Sequence, residues 1–168
     1  MNLNNPNTRS AQPVVADQTE QEADYSTSVV LVVDDNQQNL ELLQAYLESL
    51  GCTILAATDG VEALQAVDRV HPDLILLDVM MPRMSGFEVC KKLKTDPATR
   101  SIPIIMVTAL NELGDIERGV ESGTDDFLSK PVNKLELLTR VRSLLRVSHL
   151  KRELDRTLAQ MQEKERRE

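Results

Sequence analysis

Five polar residues of this 168-residue chain stand where apolar strands should end. "VVLVV" (29–33) runs into Asp34 and Asp35, "LILLD" (74–78) stops on Asp78, "IPIIMVT" (102–108) on Thr108, and "DFLSK" (126–130) on Lys130. Apolar runs of this length read as strands buried on both faces. Asp is poor in strands and almost never buried alone, so a core strand that ends on a carboxylate needs a chemical reason. Three carboxylates brought together repel, and the pKa of at least one should rise. A divalent cation relieves that repulsion. Oxygen donors with no Cys or His beside them select a hard ion such as Mg2+.

These groups meet only if the strands lie side by side and point the same way. Helical patterns separate the runs. In "QQNLELLQAYLESL", Leu40, Leu43, Leu47 and Leu50 recur at spacings of three and four, and Gly51 suits the helix end. Asp59 with Glu62, Ser85 with Glu88, and Asn133 with Glu136 each have capping-box spacing at a helix start. Strict strand–helix alternation predicts an α/β fold, a doubly wound five-stranded parallel sheet with helices on both faces. Such sheets carry their functional groups at the carboxyl ends of the strands. The two aspartates after the first strand, Asp78, Thr108 and Lys130 therefore fall on one rim.

Composition divides the chain into residues 1–28, 29–150 and 151–168, with net charges of −3, −6 and +1. The first part is rich in Asn, Gln, Thr and Ser and is predicted to stay disordered. The overall charge of −8 argues against direct nucleic-acid binding. No stretch reaches the roughly 20 apolar residues of a membrane span, and the start has no apolar export signal, so the expected location is cytoplasmic. Cys52 and Cys90 match no metal or redox spacing and read as reduced thiols in or near the core.

Four motifs in order, "VLVVDDN", "LILLDVMMP", "IIMVTAL" and "FLSKP", have 30 residues from Asp78 to Thr108 and 22 more to Lys130. Together they resemble the receiver domain of bacterial two-component response regulators, the family that includes chemotaxis regulators. The resemblance covers roughly residues 29–150. It implies a (βα)5, flavodoxin-like fold and a phosphorylation-dependent switch. Asp78 is then the acceptor of a phosphoryl group from a phosphohistidine, supplied by a sensor histidine kinase or phosphotransfer protein. Asp35, Asp78 and the Met80 carbonyl would hold Mg2+, with Asp34 acting mainly through water. Lys130 would neutralise phosphoryl oxygens, and its bond to Pro131 is usually cis in the family. Thr108 and Phe127 take the two switch positions, and the face altered by phosphorylation is the fourth helix, fifth strand and fifth helix. The chain is then a signalling protein that catalyses its own phosphorylation and slow dephosphorylation, not a turnover enzyme. Met80 and Leu110 offer no polar group to guide a water onto the phosphoryl group.

Each residue also has a plainer explanation. Asp34 and Asp35 could cap the helix that follows Asn36, Thr108 could be an ordinary strand residue, Lys130 a turn residue and Phe127 simple core. A haloacid-dehalogenase-type phosphatase carries a second Asp two residues after its nucleophile, where this chain has Met80. A nucleotide site is disfavoured because "VVDDNQQN" lacks glycines that would let phosphates approach. A structural adaptor has no use for an acidic rim facing a lysine.

Leu137, Val141, Leu144, Val147, Leu150, Leu154, Leu158 and Met161 are spaced by three or four. This predicts a C-terminally extended last helix whose apolar stripe outruns the domain and pairs as a coiled coil in a homodimer. No output domain fits in the 18 residues after 150. The chain is expected to act as a stand-alone receiver, a phosphorelay intermediate or an interaction adaptor, or to be part of a longer protein. The end of the domain resembles receivers that precede cyclic-dinucleotide enzymes and similar outputs.

Overall fold

The structure, a computed structural model, describes residues 24–109 and 113–168. Five parallel strands form one sheet in the order β2-β1-β3-β4-β5: β1 Val29–Val33, β2 Thr53–Ala57, β3 Leu74–Asp78, β4 Ile104–Thr108 and β5 Asp126–Ser129. The helices are α1 Gln37–Leu47, α2 Gly60–Val70, α3 Gly86–Thr95, α4 Leu113–Ser122 and α5 Lys134–Arg167. This is the predicted doubly wound sheet, with its chain reversal between β1 and β3. There the loops of two neighbouring strands diverge and leave a crevice at the carboxyl edge.

Alternation along the strands sorts the core into two layers. Val30, Val32, Leu74, Leu76, Ile105 and Val107 face α1 and α5, where they meet Leu40, Leu43, Leu47, Leu137 and Val141. Leu31, Val33, Ile75, Leu77, Ile104 and Met106 face α2 and α3, where they meet Ala63, Val67, Val89 and Cys90. β3 and β4 are buried at every position, which explains why their sequences are apolar without a period. β4 starts two residues later than its apolar run. Pro103 has no N–H to add to the ladder, and the Ile102 N–H donates instead to the Thr99 carbonyl.

The capping residues make the forward half of the box, and the Glu62 carboxylate goes to the Thr58 hydroxyl rather than back to Asp59. Asp59, Ser85 and Asn133 accept from the backbone N–H of Glu62, Glu88 and Glu136, at 2.8, 3.3 and 3.0 Å. Asn36 caps α1, accepting from Gln38 and Asn39 at 2.9 and 3.3 Å. Asp34 and Asp35 are thereby released from the capping role.

Residues 1–23 of the N-terminal extension lie outside the described residues. The last residues before β1 join the domain: Tyr25 is buried in the α1/α5 layer and Ser28 is fully buried. α5 has 34 residues, about 51 Å at helical rise. Its buried side chains end at Leu145. The next turns are fastened at the lower edge of the sheet. The Ser28 hydroxyl pairs with His149 Nε2 at 2.8 Å, and the Arg152 guanidinium forms an ion pair with buried Asp73. Beyond that, Leu154, Leu158 and Met161 are exposed. No described helix is long and apolar enough to cross a membrane.

Candidate functional site

β1 and β3 are paired neighbours in the sheet, so Asp34, Asp35 and Asp78 leave the same edge together. One carboxylate oxygen from each lies within 4.8 Å of the others. Asp34 and Asp78 are 1% and 4% exposed, whereas Asp35 stands at the open side. Hydrogen bonds fix the backbone at the edge: the Asp34 N–H donates to the Ala57 carbonyl at 3.1 Å and the Lys130 N–H to the Thr108 carbonyl at 2.9 Å. The second of these seats Lys130 next to the end of β4. The Lys130–Pro131 peptide bond is cis.

The Lys130 ammonium reaches back over the rim, 3.0 Å from Asp34 Oδ2 and 3.4 Å from Asp78 Oδ1. The other Asp34 oxygen accepts from the Asn36 N–H at 2.9 Å and from Asn39 Nδ2 at 3.4 Å. Asp34 thus has both oxygens engaged, while among the described residues Asp78 has the longer lysine contact and the Met80 N–H, at 3.4 Å. Burial, and then the Asp34 charge, push the Asp78 pKa up to about 6, against the weaker pull of Lys130. The sequence led us to expect a raised carboxyl at this rim from charge repulsion; at Asp78 burial contributes more than the Asp34 charge. Burial works against the Lys130 ammonium, but its hydrogen bond to Asp34 and the Asp78 charge outweigh it and raise its pKa.

The donor set fits a hard cation. The cluster offers one carboxylate oxygen each from Asp34, Asp35 and Asp78, and among the described residues no Cys or His joins it. The loop after Asp78 is held by a close packing that the motif reading overlooked. Gly86, first residue of α3, donates its N–H to the Val79 carbonyl at 3.0 Å. A Cβ at that position would lie 2.2 Å from the Asp78 carbonyl oxygen. Only glycine lets α3 start this near the strand end. Met80, the predicted carbonyl ligand, is on this loop and 64% exposed.

Thr108 is buried at the end of β4. Register pairs Met106 with Phe127 and Thr108 with Ser129. Met106 and Phe127 both belong to the α2/α3 layer, so period-two alternation places Thr108 and Phe127 on the same face, one step apart. The structure therefore brings Asp34, Asp35, Asp78, Met80, Thr108 and Lys130 to one rim and sets Phe127 just below it. Leu110 lies outside the described residues.

Residues 30–142 match the model of the response regulator receiver domain. The chain belongs to that family. Among curated relatives, this receiver domain is 52% identical over 117 residues to the response regulator PleD of Caulobacter vibrioides, an alignment covering 70% of this chain and 26% of PleD. It is 43% identical over 121 residues to the alkaline phosphatase synthesis transcriptional regulatory protein PhoP of Bacillus subtilis, covering 72% of this chain and 50% of PhoP. The chain thus spans a quarter to a half of the length of these relatives. Solved receivers share the fold. The receiver domain of a Syntrophus aciditrophicus histidine kinase superposes with a TM-score of 0.68 at 37% identity, covering 71% of this chain and 91% of that one. Chemotaxis protein CheY4 of Vibrio cholerae gives 0.66 at 30% identity, covering 70% and 98%. Receiver domains are signalling domains of two-component systems, not turnover enzymes, and they interact with histidine kinases or phosphotransfer proteins.

Proposed function

We propose that this receiver accepts a phosphoryl group on Asp78 and converts it into a change of its α4-β5-α5 face and of its association. The observation that carries the proposal is Asp78 itself: a buried carboxylate at the end of the central strand, with the Lys130 ammonium 3.4 Å away and the Asp34 and Asp35 carboxylates beside it. An Asp78 oxygen attacks the phosphorus of a partner's phosphohistidine in line. A P–O bond forms as the P–N bond breaks, and its electron pair returns to the imidazole. Lys130, already at the rim, meets the charge of the equatorial oxygens. Mg2+ held by Asp35, Asp78 and the Met80 carbonyl would supply the remaining neutralisation. Asp34 keeps its oxygens on Lys130, Asn36 and Asn39, which suits contact with the ion through water.

The product adds about −1.5 to −2 charge if it titrates like other phosphoryl groups. The Thr108 hydroxyl then turns to a phosphoryl oxygen, and Phe127 moves into the space it leaves. Ile116, Val120 and Leu135 give the α4–α5 side exposed apolar side chains for a partner to read. The exposed stripe Val147, Leu150, Leu154, Leu158 and Met161 supports a parallel homodimer through α5. Hydrolysis of the acyl phosphate is slow, on the scale of many minutes, because Met80 and Leu110 direct no water onto it.

The test is acetyl phosphate or beryllofluoride with Mg2+, read by intact mass and by NMR of the Thr108 and Phe127 amides. The wild-type protein should respond and Asp78→Asn should not. An equal response from both, or none from either, removes the mechanism, and loss of the acyl phosphate within seconds removes the claim about its lifetime.

A further inference from the structure

We propose that Gly119 in α4 is the seat of the Phe127 ring, and that its missing side chain decides which of two positions the switch ring occupies. The inference rests on the receiver reading of the site and deepens it. Gly119 is buried in an otherwise exposed stretch of α4. A Cβ built on it would lie 2.2 Å from Phe127 Cζ and 2.4 Å from Cε1. Real Cβ atoms do not approach a ring that closely, so the far edge of the phenyl ring lies directly on the helix backbone. A methyl group there cannot coexist with the ring in this place. Two contacts tie α4 to α3 and one braces the helix at Gly119 itself. The Arg118 guanidinium stacks over Phe87 at 4.6 Å, the Cys90 thiol donates to the Ser122 carbonyl at 3.4 Å, and the Ser122 hydroxyl donates to the Gly119 carbonyl at 2.6 Å. The ring is the movable partner.

In this proposal the seat on α4 is the resting position of the ring, distinct from the place beside Thr108. Closing it leaves the ring only positions away from α4, including the one beside Thr108 that phosphorylation is proposed to fill. A side chain at 119 therefore acts on the switch without touching Asp78, Lys130 or Thr108. A ligand for one of two states sees its apparent affinity rise as that state becomes more populated.

The chain has two phenylalanines, Phe87 and Phe127, so 4-fluorophenylalanine labelling gives two fluorine resonances, and Phe87→Leu assigns them. In Gly119→Ala without activator, the Phe127 resonance should move toward the position that beryllofluoride and Mg2+ produce in the wild type. Half-saturation by beryllofluoride should fall by about threefold or more, and this effect should vanish in a Phe127→Ala background. The melting temperature supplies a sign test that needs no activator. Gly119→Ala should lower it by about 2–4 °C with the ring present. It should raise it once Phe127→Ala has removed the ring, since Ala is the better helix residue when its methyl is unobstructed. An unmoved Phe127 resonance, an unchanged or raised half-saturation, or the same sign of melting shift in both backgrounds overturns the proposal. A wild-type protein that ignores beryllofluoride overturns the receiver reading instead, while the ring seat is still judged by the fluorine resonance and the melting sign.

Discussion

Asp78→Asn should make the protein more stable while abolishing its response. The Asp78 carboxyl titrates near 6 in the folded chain against 3.8 ordinarily. Its folded pKa is raised, so the native state binds the extra proton between about pH 4 and pH 6, and stability falls as pH rises through that window. Roughly two pKa units at about 1.4 kcal/mol each bound the loss near 3 kcal/mol. The rim is open to water on the Asp35 side, so about 1–3 kcal/mol is expected. Asn keeps an oxygen for Lys130 and carries no charge to bury. In EDTA at pH 7.5, urea unfolding should show the variant ahead by that amount, or about 3–10 °C in Tm. The gap should close as pH falls toward 4, where the wild-type carboxyl is protonated in both states. Millimolar Mg2+ should narrow the gap from the other side, by binding the wild-type native state. Parallel pH profiles for the two proteins in EDTA would refute the reasoning, because they would mean that Asp78 holds no electrostatic strain for a cation or phosphoryl chemistry to relieve.

Lys130→Ala leaves Asp34, 1% exposed, without its cation; it should cost about 2–4 kcal/mol in EDTA, and intact mass should show no acyl phosphate from acetyl phosphate. Gly86→Ala forces α3 away from the Asp78 carbonyl and should destabilise by more than 1 kcal/mol, with a weakened Mg2+ response read by titration of the Met80 amide. Arg152→Ala unpairs buried Asp73 and should speed amide exchange in α5 after residue 148 while leaving the sheet protected. Leu154→Glu with Leu158→Glu should abolish the proposed dimer, as read by light scattering, and leave the melting of the domain nearly unchanged, because both side chains are already exposed.

Local rules made most of this molecule legible. Buried parallel strands must be apolar throughout, so β1, β3 and β4 could be found from their runs, and a polar residue at the end of each marked the rim. Asp59, Ser85 and Asn133 announced three helix starts, because capping needs a short polar side chain three residues before its target. α4 had no such signal; its placement depends on packing against α3 and on the ring of Phe127. The sequence by itself determined which groups share the rim, since parallel strands bring their carboxyl ends to one edge whatever their order. Only the tertiary structure decided how those groups divide their work. Lys130 lies nearer Asp34 than Asp78, and Asn36 and Asn39 also bond Asp34, so Asp78 is buried with the weaker pairing. Gly86 and Gly119 look like ordinary glycines in the chain. Their importance is the space that they leave for the Asp78 carbonyl and the Phe127 ring, and no spacing rule records what a distant segment will place against a missing side chain. Asp73 likewise reads as a turn residue until folding carries Arg152, far along α5, back to the lower edge of the sheet.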